Sequence, residues 1–304
     1  MKNILILSGK RRGKLHTSKI PQDLVKNLQK YSKSNILQSH FDRLQLSVLN
    51  GTLDVFDTVN NRSLTDYDLV YLRSWGRSRF TAEAQCVALY LQHHDVSFVD
   101  REALYVSGNK LTTYFKLALH NIPVPDTLYA RQTKLLEGLI TKHHFRFPFI
   151  LKDVAGRKGR NNYLIQNKTQ LRTILRKKRH RRFVVQRYIE NDYDFRCLVL
   201  GEKVGTLSKR SRHNTNDHRN NAALGATEEE VSVNFFDQRA VNDAVKAAKL
   251  LHRQIAGVDV VIEKKTGKHY ILEVNSAPGF TYDTSVLSEA PQVSQYLDHV
   301  VEKQ

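Results

Sequence analysis

Short apolar runs alternate with amphipathic segments along the first hundred residues of the chain. Three runs, at residues 3–7, 68–73 and 96–99, have the length and composition of buried strands. Residues 21–31 carry leucine and valine at helical spacing, and residues 81–93 predict a second helix. Because strands that alternate with helices are typical of parallel sheets, we predict an α/β unit here.

The pattern changes after residue 106. A helix is predicted next, with Ser107 or Asn109 as its N-cap and with Pro123 and Pro125 beyond its end. The segment that follows predicts, in order, a strand at 148–153, a polar loop at 156–162, a strand at 163–165, a helix at 167–179 and a strand at 183–189.

The last part of the chain predicts a hairpin, a long helix and two more strands. The hairpin strands, residues 195–201 and 203–209, flank a short turn at Gly201. Residues 238–255 predict an amphipathic helix, and the final strands, at 257–263 and 270–275, are joined by a turn at 264–267. We therefore predict three domains, at residues 1–106, 107–185 and 186–304, in an α/β chain whose C-terminal half is α+β.

Composition narrows the class of protein. Of the 304 residues 40% are hydrophobic, which excludes an intrinsically disordered chain. The cysteines are Cys86 and Cys197, too few for a disulfide scaffold or a cysteine-based zinc finger and typical of an intracellular protein. The first apolar run is too short for a signal peptide, and no apolar stretch is long enough to span a bilayer. We expect a cytoplasmic protein without membrane association.

The charge of the chain predicts an acidic partner. Lys and Arg number 48 against 30 Asp and Glu, a formal net charge of +18. Nucleic acid, nucleotide phosphates and acidic peptides all fit such a charge. Basic runs at 10–14, 73–79 and 176–182 exceed what helix capping requires, although a solvated face is the usual explanation of a charge run. We hypothesise docking at an acidic peptide, or at RNA or a ribosome-like particle.

Two arginines of the 73–79 run are candidate substrate ligands. Arg73 and Arg77 follow a strand of the first unit, at the position where open α/β sheets bind ligands. They are candidates for holding a substrate carboxylate. Trp75, between them, is compatible with a place in the core.

Three oxygen-bearing side chains on the last two predicted strands indicate a metal site. Glu273 and Asn275 are two residues apart and therefore point to the same face of a strand. Asp259 lies on the partner strand, and the turn between the strands is expected to bring it beside them. Two carboxylates and an amide oxygen suit Mg²⁺ or Mn²⁺ rather than zinc. A single acid at a strand end is usually just exposed, but the whole pattern favours a metal.

Basic residues elsewhere suit a polyphosphate. Lys152 ends an apolar strand and is followed by a loop with two glycines and Arg157, Lys158 and Arg160. Such a loop can cradle phosphate oxygens, and a solvated basic turn explains it equally well. Lys110 occupies the first turn of its helix, where the dipole disfavours a cation, which hints at an anionic ligand.

The polar segment 209–221 offers a further anion site. It contains Arg210, Arg212, Arg219 and Asn221 after a strand. These groups are suited to clamping a phosphate and a substrate carboxylate, and a disordered surface loop is the alternative interpretation.

Eight segments of the chain occur in the order found in the ATP-grasp superfamily. They are residues 5–9, 109–110, 150–153, 184–189, 194–201, 219–226, 256–261 and 272–280. The chain most resembles the RimK-like amino-acid ligases, whose type member adds glutamate to the C-terminus of a ribosomal protein. The resemblance covers nearly the whole chain, with its specific parts at 194–201 and 256–279.

The resemblance implies an ATP-grasp fold with an N-terminal parallel-sheet pre-ATP-grasp domain, a central lid domain and a C-terminal ATP-grasp domain. It implies an enzyme in which ATP phosphorylates a carboxylate, an amine attacks the acyl phosphate, and phosphate leaves. Metals and cations, not an enzyme nucleophile, would stabilise the charge that is transferred. The implied substrates are an amino acid plus an acidic peptide or protein.

Two alternatives stay open at this point. One is a ligase for a free small molecule, such as an amino acid or a cofactor precursor. The other, from a different class, is a non-catalytic basic RNA- or ribosome-binding protein that has kept the fold.

The resemblance also implies a homo-oligomer, a tetramer or a dimer.

The resemblance assigns roles to the matching residues. The implied ATP-binding set is Lys110, Lys152, Gln186, Arg187, Tyr188, Ile189, Asp194 and Arg210. The implied ligands of two Mg²⁺ or Mn²⁺ ions are Asp259, Glu273 and Asn275. The implied catalytic set, at the γ-phosphate and the acyl phosphate, is Lys152, Arg210 and Asn221. The candidate substrate ligands are Arg73, Arg77 and Arg219.

Overall fold

A computed structural model describes residues 1–9, 20–75, 80–105, 108–156, 161–211 and 227–303. The first unit contains β1 (Asn3–Ser8), α1 (Ile20–Gln29), β2 (Asn35–His40), β3 (Leu44–Leu49), β4 (Thr52–Asp57), β5 (Arg62–Ser63), β6 (Leu69–Arg73), α2 (Thr81–His93) and β7 (Phe98–Val99). Its main sheet has the order β2-β1-β6-β7 with every pair parallel, so the predicted parallel sheet is confirmed.

The apolar runs of the first unit are continuous because helices cover both faces of this sheet. Leu5 and Leu7 pack in the cluster that contains α2, whereas Ile4 and Ile6 pack in a cluster with α1 and a helix from the end of the chain. The predicted strand at 96–99 is shorter than expected, since pairing is confined to Phe98–Val99. A small antiparallel sheet of order β3-β4-β5 was not predicted.

The middle unit contains α3 (Lys110–Leu119), β8 (Thr127–Tyr129), α4 (Thr133–Lys142), β9 (Phe149–Asp153), β10 (Asn162–Ile165), α5 (Lys168–Lys177) and β11 (Phe183–Arg187). Asn109 is the N-cap of α3, and its side chain accepts a hydrogen bond from the backbone of Thr112. The sheet order is β10-β9-β11-β8, all antiparallel. The domain boundary predicted at 185/186 falls inside β11.

The last unit contains β12 (Tyr193–Leu200), β13 (Lys203–Ser211), β14 (Thr227–Val231), α6 (Gln238–Leu250), β15 (Ile255–Ile262), β16 (His269–Asn275) and α7 (Glu289–Glu302). Its antiparallel sheet has the order β14-β13-β12-β15-β16, and the hairpin predicted at Gly201 is present with φ +63° at the glycine. Alanines of α6 cover one face of the sheet.

The predicted helix at 238–255 is wrong at its end, because α6 stops at Leu250. His252 adopts a left-handed conformation, φ 55°, and Ile255 already belongs to β15. Arg253, between them, is buried and donates two hydrogen bonds to Glu102, at 2.9 and 2.6 Å. Its remaining guanidinium nitrogen donates to the Val274 carbonyl at 2.6 Å, so that one buried ion pair joins the first unit to the end of β16.

Within the described residues, no helix is both long enough and apolar enough to cross a membrane.

Candidate active site

The face of the last sheet that is turned away from α6 carries the predicted metal ligands. Asp259 on β15 is directly opposite Glu273 on β16, and Gly257 is opposite Asn275. Residues that are opposite each other in an antiparallel pair, or two apart on one strand, share a face. The Asn275 amide nitrogen lies 3.5 Å from a carboxylate oxygen of Asp259. The three oxygen-bearing side chains therefore lie side by side on one face.

An irregularity in strand pairing lies beside this group. The register shifts after the pair Asp259–Glu273, so that Val260 pairs with Ile271 and Leu272 is the extra residue on β16. The Leu272 carbonyl accepts a hydrogen bond from the Tyr114 hydroxyl at 3.0 Å. Tyr114 belongs to α3, so the middle unit is fixed to the strand that carries Glu273.

Two arginines from neighbouring strands bind Asp259. Arg196 on β12 donates to both of its carboxylate oxygens, at 2.9 and 3.2 Å, and Arg210 on β13 lies 3.1 Å from one of them. Burial by itself would raise the pKa of Asp259, but the two guanidinium groups lower it below its ordinary value. Asp259 is therefore held as a carboxylate at neutral pH.

Arg210 also binds a second carboxylate. Its Nε donates to Asp194 at 2.7 Å, and Asp194 lies opposite Arg210 in the hairpin. Burial raises the pKa of Asp194 to about 7, and Arg210 opposes this shift only in part. The four charged side chains thus form one connected network across β13, β12 and β15, in which Arg210 lies between the carboxyl groups of Asp194 and Asp259.

Two lysines of the middle unit reach the same face. The ammonium of Lys110, at the first residue of α3, lies 2.9 Å from a Glu273 oxygen and donates to the Gly156 carbonyl at 2.7 Å. The position of Lys110 at a helix N-terminus, unfavourable with the dipole, is compensated by this carboxylate.

Lys152 on β9 is the second of these lysines. It donates to the Gln186 side chain on β11 at 2.6 Å, and Gln186 in turn donates to Thr127 at 3.0 Å. Burial lowers the pKa of Lys152 to about 8, while Glu273 opposes the shift and Lys110 adds to it. Lys152 is thus a half-buried cation near both carboxylates of the last sheet.

The segment predicted to line an adenine pocket leads from the middle sheet to the last one. The Arg187 side chain binds Glu263 at 2.6 Å and the Tyr270 hydroxyl at 2.7 Å. Tyr188 is half-buried, and Ile189 is buried in an apolar cluster with residues of β15 and β16. The guanidinium of Arg187 therefore joins the two units through its own side-chain contacts.

The candidate substrate arginines are only partly within the described residues. Arg77, Arg219 and Asn221 lie outside them, as does the loop at 157–160. Arg73 is buried, donates to the Tyr71 hydroxyl at 2.9 Å and to the Pro278 carbonyl, and lies over the Phe280 ring at 4.6 Å. Arg73 thus connects β6 to the segment that follows Asn275. Trp75 is buried in the core of the first unit.

The donor set fits a hard divalent cation. Two carboxylates and an amide oxygen on adjacent positions are the groups that Mg²⁺ takes from proteins, together with water and phosphate oxygens. In the described part of the chain no group of three or more His, Cys, Asp or Glu side chains is placed to hold a metal ion, and this donor set has two carboxylates and the amide of Asn275. Lysine and arginine cations surround the carboxylates and suit an anionic ligand beside the metal.

Solved structures define the fold class. The ATP-grasp ligase PsnB, in complex with Mg and ADP and a variant of its minimal precursor, gives a TM-score of 0.73 at 16% identity and covers 97% of each chain. A D-alanine–D-alanine ligase from Bacillus anthracis gives 0.67 at 16% identity and covers 100% of this chain and 98% of that one. The fold is that of an ATP-grasp ligase, as predicted.

Residues 107–289 match the model of the RimK-like ATP-grasp domain, and the chain belongs to the RimK-like ATP-grasp family. A glutamate–LysW ligase of Sulfurisphaera tokodaii is 28% identical over 231 residues, 72% of this chain and 77% of its own. A probable α-L-glutamate ligase of a Shewanella species is 26% identical over 290 residues, 90% of this chain and 93% of its own. The protein is an ATP-dependent ligase that joins a carboxylate to an amine.

Proposed function

We propose that the protein adds an amino acid to a peptide or protein substrate through an acyl phosphate. The observation that supports this most directly is the convergence of two lysines of the middle sheet with two carboxylates and an amide of the last sheet. Such an arrangement suits a polyphosphate and the divalent cations that accompany it, which phosphoryl transfer requires. The same arrangement has little use in a protein that only binds RNA.

Each group has a defined part in the proposed reaction. Asp259, Glu273 and Asn275 would hold two Mg²⁺ ions, which neutralise charge on the phosphates when bound. Lys110 and Lys152 would bind phosphate oxygens, and residues 186–189 would contact adenine, largely through the backbone. Asp194 would hold Arg210 in place.

Arg210 and Asn221 would stabilise the charge of the transferred phosphoryl group. Arg73, Arg77 and Arg219 would bind a substrate carboxylate. The carboxylate of the substrate would accept the phosphoryl group, and the amine would then displace phosphate.

The names of relatives favour an amino acid as one substrate. Several are named glutamate ligases, among them the glutamate–LysW ligase. The charge of +18 favours an acidic peptide or protein as the other, since opposite charge accelerates association. The name of a coenzyme γ-F420-2:α-L-glutamate ligase of Methanocaldococcus jannaschii favours a small-molecule acceptor as the alternative. That relative is 30% identical over 184 residues, which are 59% of this chain and 61% of its own.

A turnover screen tests this proposal. We expect ADP release from Mg·ATP only when an amino acid and an acidic peptide are supplied together, and a peptide mass increased by one or more amino-acid residues. Mass spectrometry of the peptide and a coupled assay of ADP measure both outcomes. Conversion of a free metabolite with no change in any peptide would establish the small-molecule alternative. Nucleotide binding without turnover on any acceptor, together with salt-sensitive binding of RNA, would instead support the RNA-binding protein.

A further inference from the structure

The charge of the chain is concentrated in one segment of the middle unit. Residues 131–182 contain 16 Lys and Arg against the two acids Glu137 and Asp153. These 52 residues therefore carry a net charge of +14, out of +18 for the whole chain. Of these 16 residues, Lys152 is the one that belongs to the candidate active site described above, so most of this charge has another cause.

A groove of about 470 Å³ lies within this segment, between α4, α5 and the turn that precedes β9. Its floor is apolar, with Ile140 and Leu171 buried and Phe145 half-buried. Phe147 stands at the edge of the groove and stacks on Phe149, with ring centroids 4.8 Å apart. The volume is sufficient for one or two large side chains.

The rim of the groove is basic. His144, Arg146 and Lys168 line it and are exposed. The acid among its lining residues, Glu137, lies 3.1 Å from Arg172 on α5, and this ion pair neutralises it. Apolar floor and cationic rim together suit a segment that is acidic and carries an apolar anchor, because charged residues at the rim steer association and an anchor in a pocket supplies affinity.

The groove is distinct from the candidate active site. Phe149 and Leu151 of β9 point to the face that α4 and α5 cover, and they share an apolar cluster with Leu171. Lys152 directly follows Leu151 on the strand, so its side chain points to the other face, where it binds Gln186. The middle sheet separates the groove from the groups that would bind the nucleotide.

We propose that this groove docks an acidic segment of the protein substrate, anchored by one aromatic or aliphatic side chain, at a distance from the reacting carboxylate. The identity of the segment as substrate rests on the proposed function, whereas its binding to the groove does not. A second copy of the chain is a poor occupant, since two surfaces of this charge repel each other. RNA is a weaker candidate because phosphate contacts do not need an apolar recess.

Fluorescence anisotropy of a labelled acidic peptide tests the proposal. The probe is a twelve-residue segment of Glu and Asp with one central Phe, titrated with the full-length protein, and the control probe has Ala in place of Phe. We expect the Phe peptide to bind roughly tenfold more tightly or better, because a buried aromatic anchor is commonly worth that much. Binding of both peptides should weaken as salt is added.

Matched variants locate the binding site. Thr141→Trp fills the groove without a change of charge, and Leu135→Trp, at an exposed position of the same helix outside the groove lining, is its control. Lys168→Glu reverses a rim charge, and Lys265→Glu, in the exposed turn between β15 and β16, is its control. We expect Thr141→Trp and Lys168→Glu to weaken the Phe peptide about tenfold while the control variants bind like the wild type.

Each contrary outcome is distinguishable from a failure of the proposed function. The docking proposal is contradicted if the Phe peptide does not bind the wild type, or if the control variants weaken its binding equally. It is also contradicted by an RNA oligonucleotide that displaces the peptide and binds Thr141→Trp as tightly as the wild type. An unchanged KM for a peptide substrate in Thr141→Trp would contradict the docking proposal but not the proposed ligase function. Binding of the peptide in the groove, with no turnover on any acceptor, would support the docking site and contradict the proposed function.

Discussion

Glu273→Gln should lower ligation by about a hundredfold or more, with little loss of folding stability. The amide keeps the size of the side chain but removes a negative charge from the group that is proposed to hold Mg²⁺. Glu273 is 38% exposed on its side chain and has Lys110 as its ionic partner, so the substitution leaves no deeply buried cation unpaired.

Asp259→Asn should cost at least as much activity, and it should also destabilise the fold because it deprives Arg196 and Arg210 of a buried carboxylate.

The measurement is ADP release at saturating Mg·ATP, with urea unfolding of the same variants to separate activity from stability. Glu229→Gln is the matched control, since Glu229 lies on β14 of the same sheet, is exposed, and is paired with Lys209 at 3.0 Å. We expect it to be active. Full activity in Glu273→Gln would show that this carboxylate holds no essential metal.

Lys152→Met should also lower kcat/KM for ATP about a hundredfold. The substitution removes the ammonium that is proposed to bind a phosphate and keeps an unbranched chain of similar length.

Burial lowers the pKa of Lys152 to about 8 in the free protein, so the lysine is protonated below pH 8 and loses its charge above it. In the wild type kcat/KM for ATP should therefore fall as the pH rises through about 8, because this parameter reports the free enzyme.

Lys152→Arg separates charge from structure in this prediction. Arginine stays protonated at every accessible pH, so an active Lys152→Arg variant should lack the fall above pH 8. The pH profiles of wild type, Lys152→Met and Lys152→Arg, measured between pH 6 and pH 10, provide the test. A fall with the same midpoint in all three would assign it to another group.

Much of the fold follows from local patterns. The core strands of the first unit are continuous apolar runs because helices cover both faces of their sheet. In β15 and β16, apolar residues alternate with the polar residues of the candidate site, and this pattern predicts both strands. The exposed strand β3 and the three-residue strand β8 have no such pattern, and both were missed. Helix α7 was also missed, although Ala290, Val293, Leu297 and Val301 have helical spacing.

The candidate site was only partly accessible from sequence. Asp259, Glu273 and Asn275 could be grouped because neighbouring strands joined by a short turn fix their register. Lys110 gave a local signal, a cation at a helix N-terminus, but its contact with Glu273 spans 163 positions and depends on the packing of α3.

No role for Arg196 or Tyr114 followed from the sequence. Arg196 is two residues from Asp194 on one strand, so the two side chains share a face, and this spacing is a usable signal. The pairing of β12 with β15 that brings Arg196 to Asp259 is set by the whole sheet and not by local spacing.

Isothermal titration calorimetry with ADP tests most directly whether Asp259, Glu273 and Asn275 bind a nucleotide through divalent cations. Heat of association is expected for the wild-type protein in the presence of Mg²⁺, with marked weakening when Mg²⁺ is chelated or when Glu273 is replaced by Gln. Glu229→Gln is expected to bind like the wild type. The absence of any heat in the wild type, or equal affinity with and without Mg²⁺, would contradict the assignment of this site.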